Sequence, residues 1–171
     1  MIIFFKKDKN YLQFHKIIIK KHVIMKINQV DIDIMRHIRD GRKSLKKIAD
    51  AINLSENTVR KRLNKMIDEE VLEVSGLVDP TAIPGHMLAL VGVNLSTMEL
   101  VRRGEDFSKL KGVVSANVVT GRYDLILIVL LNENFSLLNF YTEEVSRVKD
   151  VQSVETFVIY KSYNSKVPYI L

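Results

Sequence analysis

Ser55, Glu56, Asn57, Thr58, Arg60, Lys61, Asn64 and Lys65 crowd into one short stretch, and Val59, Leu63, Met66 and Ile67 stand among them at steps of three and four. On a helix that spacing turns the apolar set inward and leaves Glu56, Asn57, Arg60, Lys61, Asn64 and Lys65 outward or flanking, with Arg62 beside them. Asparagine and arginine can each make paired hydrogen bonds to base edges, to adenine and guanine respectively. Ser55 and the first-turn amides suit phosphate contacts at a helix N-terminus. Arg42, Lys43, Ser44, Lys46 and Lys47, just upstream, suit a flanking backbone. Basic residues on a solvated helix often only aid solubility, so the elements that carry these side chains have to decide.

Those elements read as three helices. Ile27, Val30, Ile34, Met35 and Ile38 line one face of a first helix, capped by Asn28 with Asp31 three residues on and closed by Asp40-Gly41. Ser44 caps a second, with Leu45, Ile48, Ala49 and Ile52 on its buried face. A tight Asn53-Leu54 connection follows, and Ser55 caps the third. Two helices nearly back to back across a short turn form a helix-turn-helix, which frees the third to enter a major groove.

Charge supports this placement. Met1–Met25 carries six basic residues against one acid, Lys26–Glu69 eleven against seven, and Glu70–Leu171 nine against twelve. The net charge of +6 therefore resides in the first part of the chain, which calls for an anionic partner there. No cysteine is present, which excludes disulfides and thiolate metal sites. His15, His22, His37 and His86 include no pair at i, i+4 spacing, so neither a catalytic metal nor a cofactor is called for. No apolar run reaches the ~20 residues of a membrane span. Residues 1–24 interleave lysines with isoleucine and phenylalanine and lack a signal-peptide layout. They read as a basic extension, with Met25 an alternative start; a DNA-directed arm and a membrane-surface helix are the other readings.

The run DIDIMRHIRDGRKSLKKIADAINLSENTVRKRLNKM and the later VVTGRYDLILIV resemble the Lrp/AsnC (leucine-responsive, feast/famine) family of transcriptional regulators. The first matches that family's helix-turn-helix, through Asp40-Gly41-Arg42-x-Ser44 and the Leu54-Ser55 to Arg62 run. The second matches the Gly-x-x-Asp turn of its C-terminal domain. The resemblance spans roughly Lys26 to Ser162. Two departures stand at the exit of the third helix: Glu70 where the family usually has glycine, and Glu73-Val74-Ser75 where an aromatic is usual.

The second half reads as alternating segments: a linker strand over Val71–Asp79 and a boundary at Pro84-Gly85, then a strand over His86–Leu95. A helix follows over Thr97–Leu110, capped by Ser96 or Thr97, with Leu100, Val101, Phe107 and Leu110 as contacts. Strands over Val113–Thr120 and Leu125–Leu131 are joined by a hairpin-like turn. A helix over Ser136–Val148 carries Leu137, Leu138, Tyr141 and Val145, and a last strand covers Val151–Tyr160. This β-α-β-β-α-β order is the ferredoxin-like plan. The expected fold is α+β: a (winged) helix-turn-helix domain over 25–70, a linker over 71–85, a ferredoxin-like dimerisation and effector domain over 86–162, and a tail over 163–171. Strands apolar on both faces call for a homodimer.

The resemblance implies an amino-acid effector at Thr120, Gly121, Arg122, Tyr123 and Asp124, and dimers assembling to an octamer or larger. Gly121 and Asp124 are equally consistent with plain hairpin chemistry. The implied regulator is a cytoplasmic, non-enzymatic binder of double-stranded DNA with a pseudo-palindromic operator and no membrane role. Two alternatives share the architecture: a sirohaem-decarboxylase-like enzyme, and an effector-binding protein that has lost DNA binding. The basic helix argues against both, and His86 alone in the second half argues against a tetrapyrrole pocket.

Overall fold

The computed structural model describes residues 26–171, so the reading of residues 1–24 lies outside the described residues. The chain divides into two compact units at Val74/Ser75.

The first unit holds helices α1 (Gln29–Ile38), α2 (Leu45–Ala51) and α3 (Glu56–Asp68). Each starts where a short polar side chain meets an orphan amide. Asn28 accepts from the Asp31 amide at 3.2 Å while Asp31 accepts from the Asn28 amide at 3.0 Å, a reciprocal cap. Ser44 accepts from the Lys47 amide at 3.3 Å, and Ser55 from the Thr58 amide at 3.1 Å. Ile34, Ile48, Ala49, Val59, Leu63 and Met66 close the core. The α2–α3 turn is made by Asn53 in the left-handed region (φ 53°), which lets the Leu54 amide donate to the Ala49 carbonyl at 3.0 Å. Helix α3 ends likewise on Glu70 at φ 55°, with the Val71 amide returning to the Met66 carbonyl at 2.8 Å. The family departure at Glu70 thus keeps the geometry that a glycine would adopt and accepts the steric cost of a side chain there.

The second unit carries a four-stranded antiparallel sheet: β2 (Met87–Leu95), β3 (Val113–Val118), β4 (Leu125–Leu131) and β5 (Val151–Val158) in the order β3-β4-β2-β5. Leu88 meets Leu130 and Val91 meets Leu127, whereas Ala89 meets Val158 on the other side of β2. One face of the sheet supplies Ala89, Val91, Val93, Leu125, Leu127 and Val129 to a core closed by Phe107, Phe135 and Phe140. Helix α4 (Leu100–Ser108) packs here through Gly104, whose Cα lies so close to Val118 that an added Cβ would meet its Cγ2 at 3.2 Å. On the opposite face Leu88 and Leu130 pack with Val167 from the C-terminal segment.

Several expected boundaries shift. Val71–Asp79 is not one strand: only β1 (Leu77–Val78) is extended and paired, and its partner is β6 (Val167–Pro168), so the tail folds back on the linker. The first helix of this unit begins at Leu100 instead of Thr97. Ser96 and Thr97 do not cap it, because the Ser96 hydroxyl donates to the Asp150 carbonyl and the Thr97 hydroxyl accepts from the Glu99 amide. Val101 is exposed instead of packed. The expected helix over Ser136–Val148 is broken into α5 (Leu137–Asn139), a π turn over Phe140–Glu144 and a 3-10 turn over Val145–Arg147. The widened turn buries Phe140, Glu144 and Val145 together, and the Glu144 carboxylate accepts from the Lys111 amide at 3.3 Å. Leu138 faces solvent as a result. The last strand ends at Val158, short of Tyr160.

Candidate nucleic-acid interface and effector turn

Helix α3 presents Asn57, Arg60, Lys61, Asn64 and Lys65 exposed, with Val59, Leu63 and Met66 buried beneath them. Its N-terminal hydroxyls are ordered: the Ser55 hydroxyl lies 2.8 Å from that of Thr58 and also accepts the Thr58 amide. Glu56 and Arg60, one turn apart, form an ion pair at 2.6 Å across the exposed surface. This pair holds the guanidinium in one direction and offsets its charge in the free protein. Upstream, the largely exposed Arg42 lies 3.7 Å from Asp40, and the Lys43 ammonium lies 3.3 Å from the His37 ring. Lys46 and Lys47 are exposed on α2, and Ser44 is spent on its cap.

Arg62 is a correction to the sequence-based surface. Its guanidinium turns toward the start of α1, 2.9 Å from Asp31, and the side chains are 34% and 1% exposed respectively. A carboxylate with no access to water needs a fixed partner, and Arg62 supplies one. The residue is an inter-helix tie and its fork is not free to read a base. No local pattern pairs Asp31 with Arg62, which are far apart in sequence; the signal available was a carboxylate on the apolar side of α1.

At the second candidate site, Thr120, Gly121, Arg122, Tyr123 and Asp124 do connect β3 to β4, with Gly121 at φ 139° and open space where its Cβ would be. The side chains diverge. Asp124 turns toward the end of β2, its carboxylate accepting from the Leu95 amide at 2.8 Å while its own amide donates to the Val93 carbonyl at 3.0 Å. Tyr123 lies flat over Gly92: an added Cβ at Gly92 would sit 2.7 Å from the ring. Its hydroxyl donates to Glu155 on β5, and Arg122 pairs with the same carboxylate at 3.1 Å. Sequence reasoning missed Gly92, Glu155 and Phe157, which the sheet register sets beneath the turn. A glycine inside a strand was the available signal for a close approach.

The hydrogen bond to Glu155 raises the Tyr123 phenol above its ordinary value of 10.0, with desolvation adding and Arg122 opposing. A raised folded-state pKa means the bond contributes fully below pH 10 and is lost as pH climbs through the folded value. The second unit should therefore lose stability on alkaline titration, and Tyr123→Phe should flatten that part of the profile; tyrosinate absorbance checks it.

Among the described residues no cluster of three or more His, Asp or Glu side chains is arranged to hold a metal ion, and no helix is long and apolar enough to cross a membrane.

A family model described as winged helix-turn-helix DNA-binding matches residues 27–73, and one described as the Lrp/AsnC ligand binding domain matches residues 88–168. An uncharacterized HTH-type transcriptional regulator of Pyrococcus abyssi is 27% identical over 137 residues, covering 79% of this chain and 87% of its own. The fold is similar to that of AsnC from E. coli, at 18% identity and a TM-score of 0.62 over 81% of this chain and 95% of that one. A Neisseria meningitidis transcriptional regulator solved as a complex with L-Met is also 18% identical, with a TM-score of 0.62 over 85% and 96% of the two chains.

Proposed function

The chain belongs to the Lrp/AsnC family of DNA-binding transcriptional regulators, and from that premise we propose that it binds a specific, pseudo-palindromic operator as a homodimer or larger assembly under the control of an amino acid. It is a regulator and not an enzyme, which sets aside the sirohaem-decarboxylase-like alternative.

The observation that carries the DNA reading is α3 itself: a capped, thirteen-residue helix buried on one side and exposing Asn57, Arg60, Lys61 and Asn64 on the other. In this reading Arg60, Asn57 and Asn64 contact bases, with Glu56 orienting Arg60. Ser55 and Thr58, with Lys61, Lys65, Arg42 and Lys43, face phosphates. The dimer is read from the sheet face opposite the helices, where Phe157 remains exposed beside the half-buried Leu90. Cytoplasmic location and assembly to an octamer follow from the same reading.

The effector is proposed as an α-amino acid at the Thr120–Asp124 turn. The exposed backbone at Gly121 and the charged Arg122 suit its carboxylate. The support is the family's ligand-binding domain over this segment. Asp124 enters only weakly, since its carboxylate already holds the Leu95 amide.

The deciding experiment measures binding to DNA from upstream of the protein's own gene beside random DNA, across a salt series and with each amino acid added. Preference for the upstream fragment with a steep salt dependence supports the reading. No binding at low salt sinks it. In the same assay Arg60→Ala should weaken operator binding by about 1–3 kcal/mol, and equal losses on both fragments would make Arg60 a phosphate contact.

A further inference from the structure

The flank of α3 away from the Glu56–Arg60 pair is built differently. A cleft of about 420 Å³ opens between the start of α1 and α3. Its floor is the Asp31–Arg62 pair, and because Asp31 also holds the Asn28 amide, that floor is neutral and rigid. Its rim carries Lys26 from the α1 side and Lys61 and Lys65 from α3, all exposed and, among the described residues, with no ion-pair partner. Asn28 and Thr58 add neutral polar groups between them. Three ammonium groups around a concavity with a balanced floor form a local field that only an anion relieves.

We propose that this cleft is a seat for one DNA phosphodiester, so that the residue leading into α1 grips the backbone while the neighbouring face of α3 reads bases. The seat rests on the DNA-binding reading above and extends it to Lys26, which no sequence pattern singles out. Continuity selects the duplex over a free anion: Lys61 follows Arg60 and Lys65 follows Asn64, so a strand flanking the read groove passes this rim. The two lysines stand one turn, about 6 Å, apart along α3. A guanidinium locked by Asp31 at the floor cannot swing out, which leaves the lysines to close on the phosphate.

The test is fluorescence anisotropy of the full chain with a random-sequence 30-base-pair duplex over about 50–200 mM salt. Lys26→Ala should shrink the slope of log K against log salt by about 0.9 and weaken binding about three- to tenfold. Lys26→Arg should restore both, and the upstream-to-random preference should stay as in the wild type. An unchanged slope in Lys26→Ala, with the wild type binding normally, overturns the seat alone. A wild type that does not bind the duplex at low salt overturns the DNA-binding reading and the seat with it.

Discussion

Replacing Asp31 by alanine should destabilise the helical unit by about 2–3 kcal/mol. Two contributions add. Half of the reciprocal cap is lost, since the Asn28 amide no longer meets the Asp31 carboxylate while the Asn28 side chain keeps the backbone amide of residue 31, and one such hydrogen bond is worth about 0.5–1.5 kcal/mol. The tie to Arg62 is also lost, and removing one partner of a buried pair costs about 3–5 kcal/mol where the survivor stays buried. Arg62 is a third exposed and can reach water, which takes the second contribution below that range, to about 1–2 kcal/mol. The consequence for DNA binding is indirect: α3 loses the contact that fixes its angle to α1. The two units can be followed separately, since five of the six tyrosines (123, 141, 160, 163 and 169) lie in the second, and Tyr11, outside the described residues, is removed by a Tyr11→Phe background. Asp31→Ala should move the denaturant midpoint of a helical far-ultraviolet signal and leave the tyrosine near-ultraviolet transition in place. A common shift of both would mean that the units unfold as one.

Gly112→Ala should do the reverse, lowering the tyrosine transition by about 2–4 kcal/mol. Gly112 stands at φ 79°, just before β3, and an added Cβ would lie 2.5 Å from the Phe135 ring and 2.8 Å from the Leu130 carbonyl oxygen. The ring could yield, but that oxygen belongs to a central strand, and the Leu130 amide also donates to the Gly112 carbonyl at 2.7 Å. The left-handed backbone costs a non-glycine residue about 1–2 kcal/mol, and overpacking typically adds about 1–3. A smaller unfolded-state entropy gain offsets under 1 kcal/mol of this. A midpoint within error of the wild type would show that the β3 entry rearranges freely.

Elements settled by short-range forces follow the sequence pattern, and those settled by distant partners depart from it. Asn28, Ser44 and Ser55 cap their helices as their spacing predicts, because a cap is settled within three residues. The βαββαβ order was legible for a similar reason: strand alternation and turn residues are local signals. What the sequence could not show depended on distant partners. The Ser136–Val148 helix gives way to a π turn because Glu144 must meet the Lys111 amide while Phe140 and Val145 stay inside. Helix α4 starts late because Ser96 is drawn to Asp150. Within the candidate sites, α3's exposed residues were readable from a single face of one helix. The inward turn of Arg62 to Asp31 and of Asp124 to Leu95 required two elements to be placed first.

The strand order has a kinetic consequence. Strand β2 cannot complete its ladder until β4 and then β5 have been made, since Leu88 waits for Leu130 and Ala89 for Val158. The helical unit closes instead over neighbouring turns. Refolding should therefore be biphasic, with helix returning ahead of the tyrosine signal. A chain emerging from synthesis would hold a formed recognition helix while its sheet is still open, so the pairing of two copies proposed above should lag behind the first competence to touch DNA.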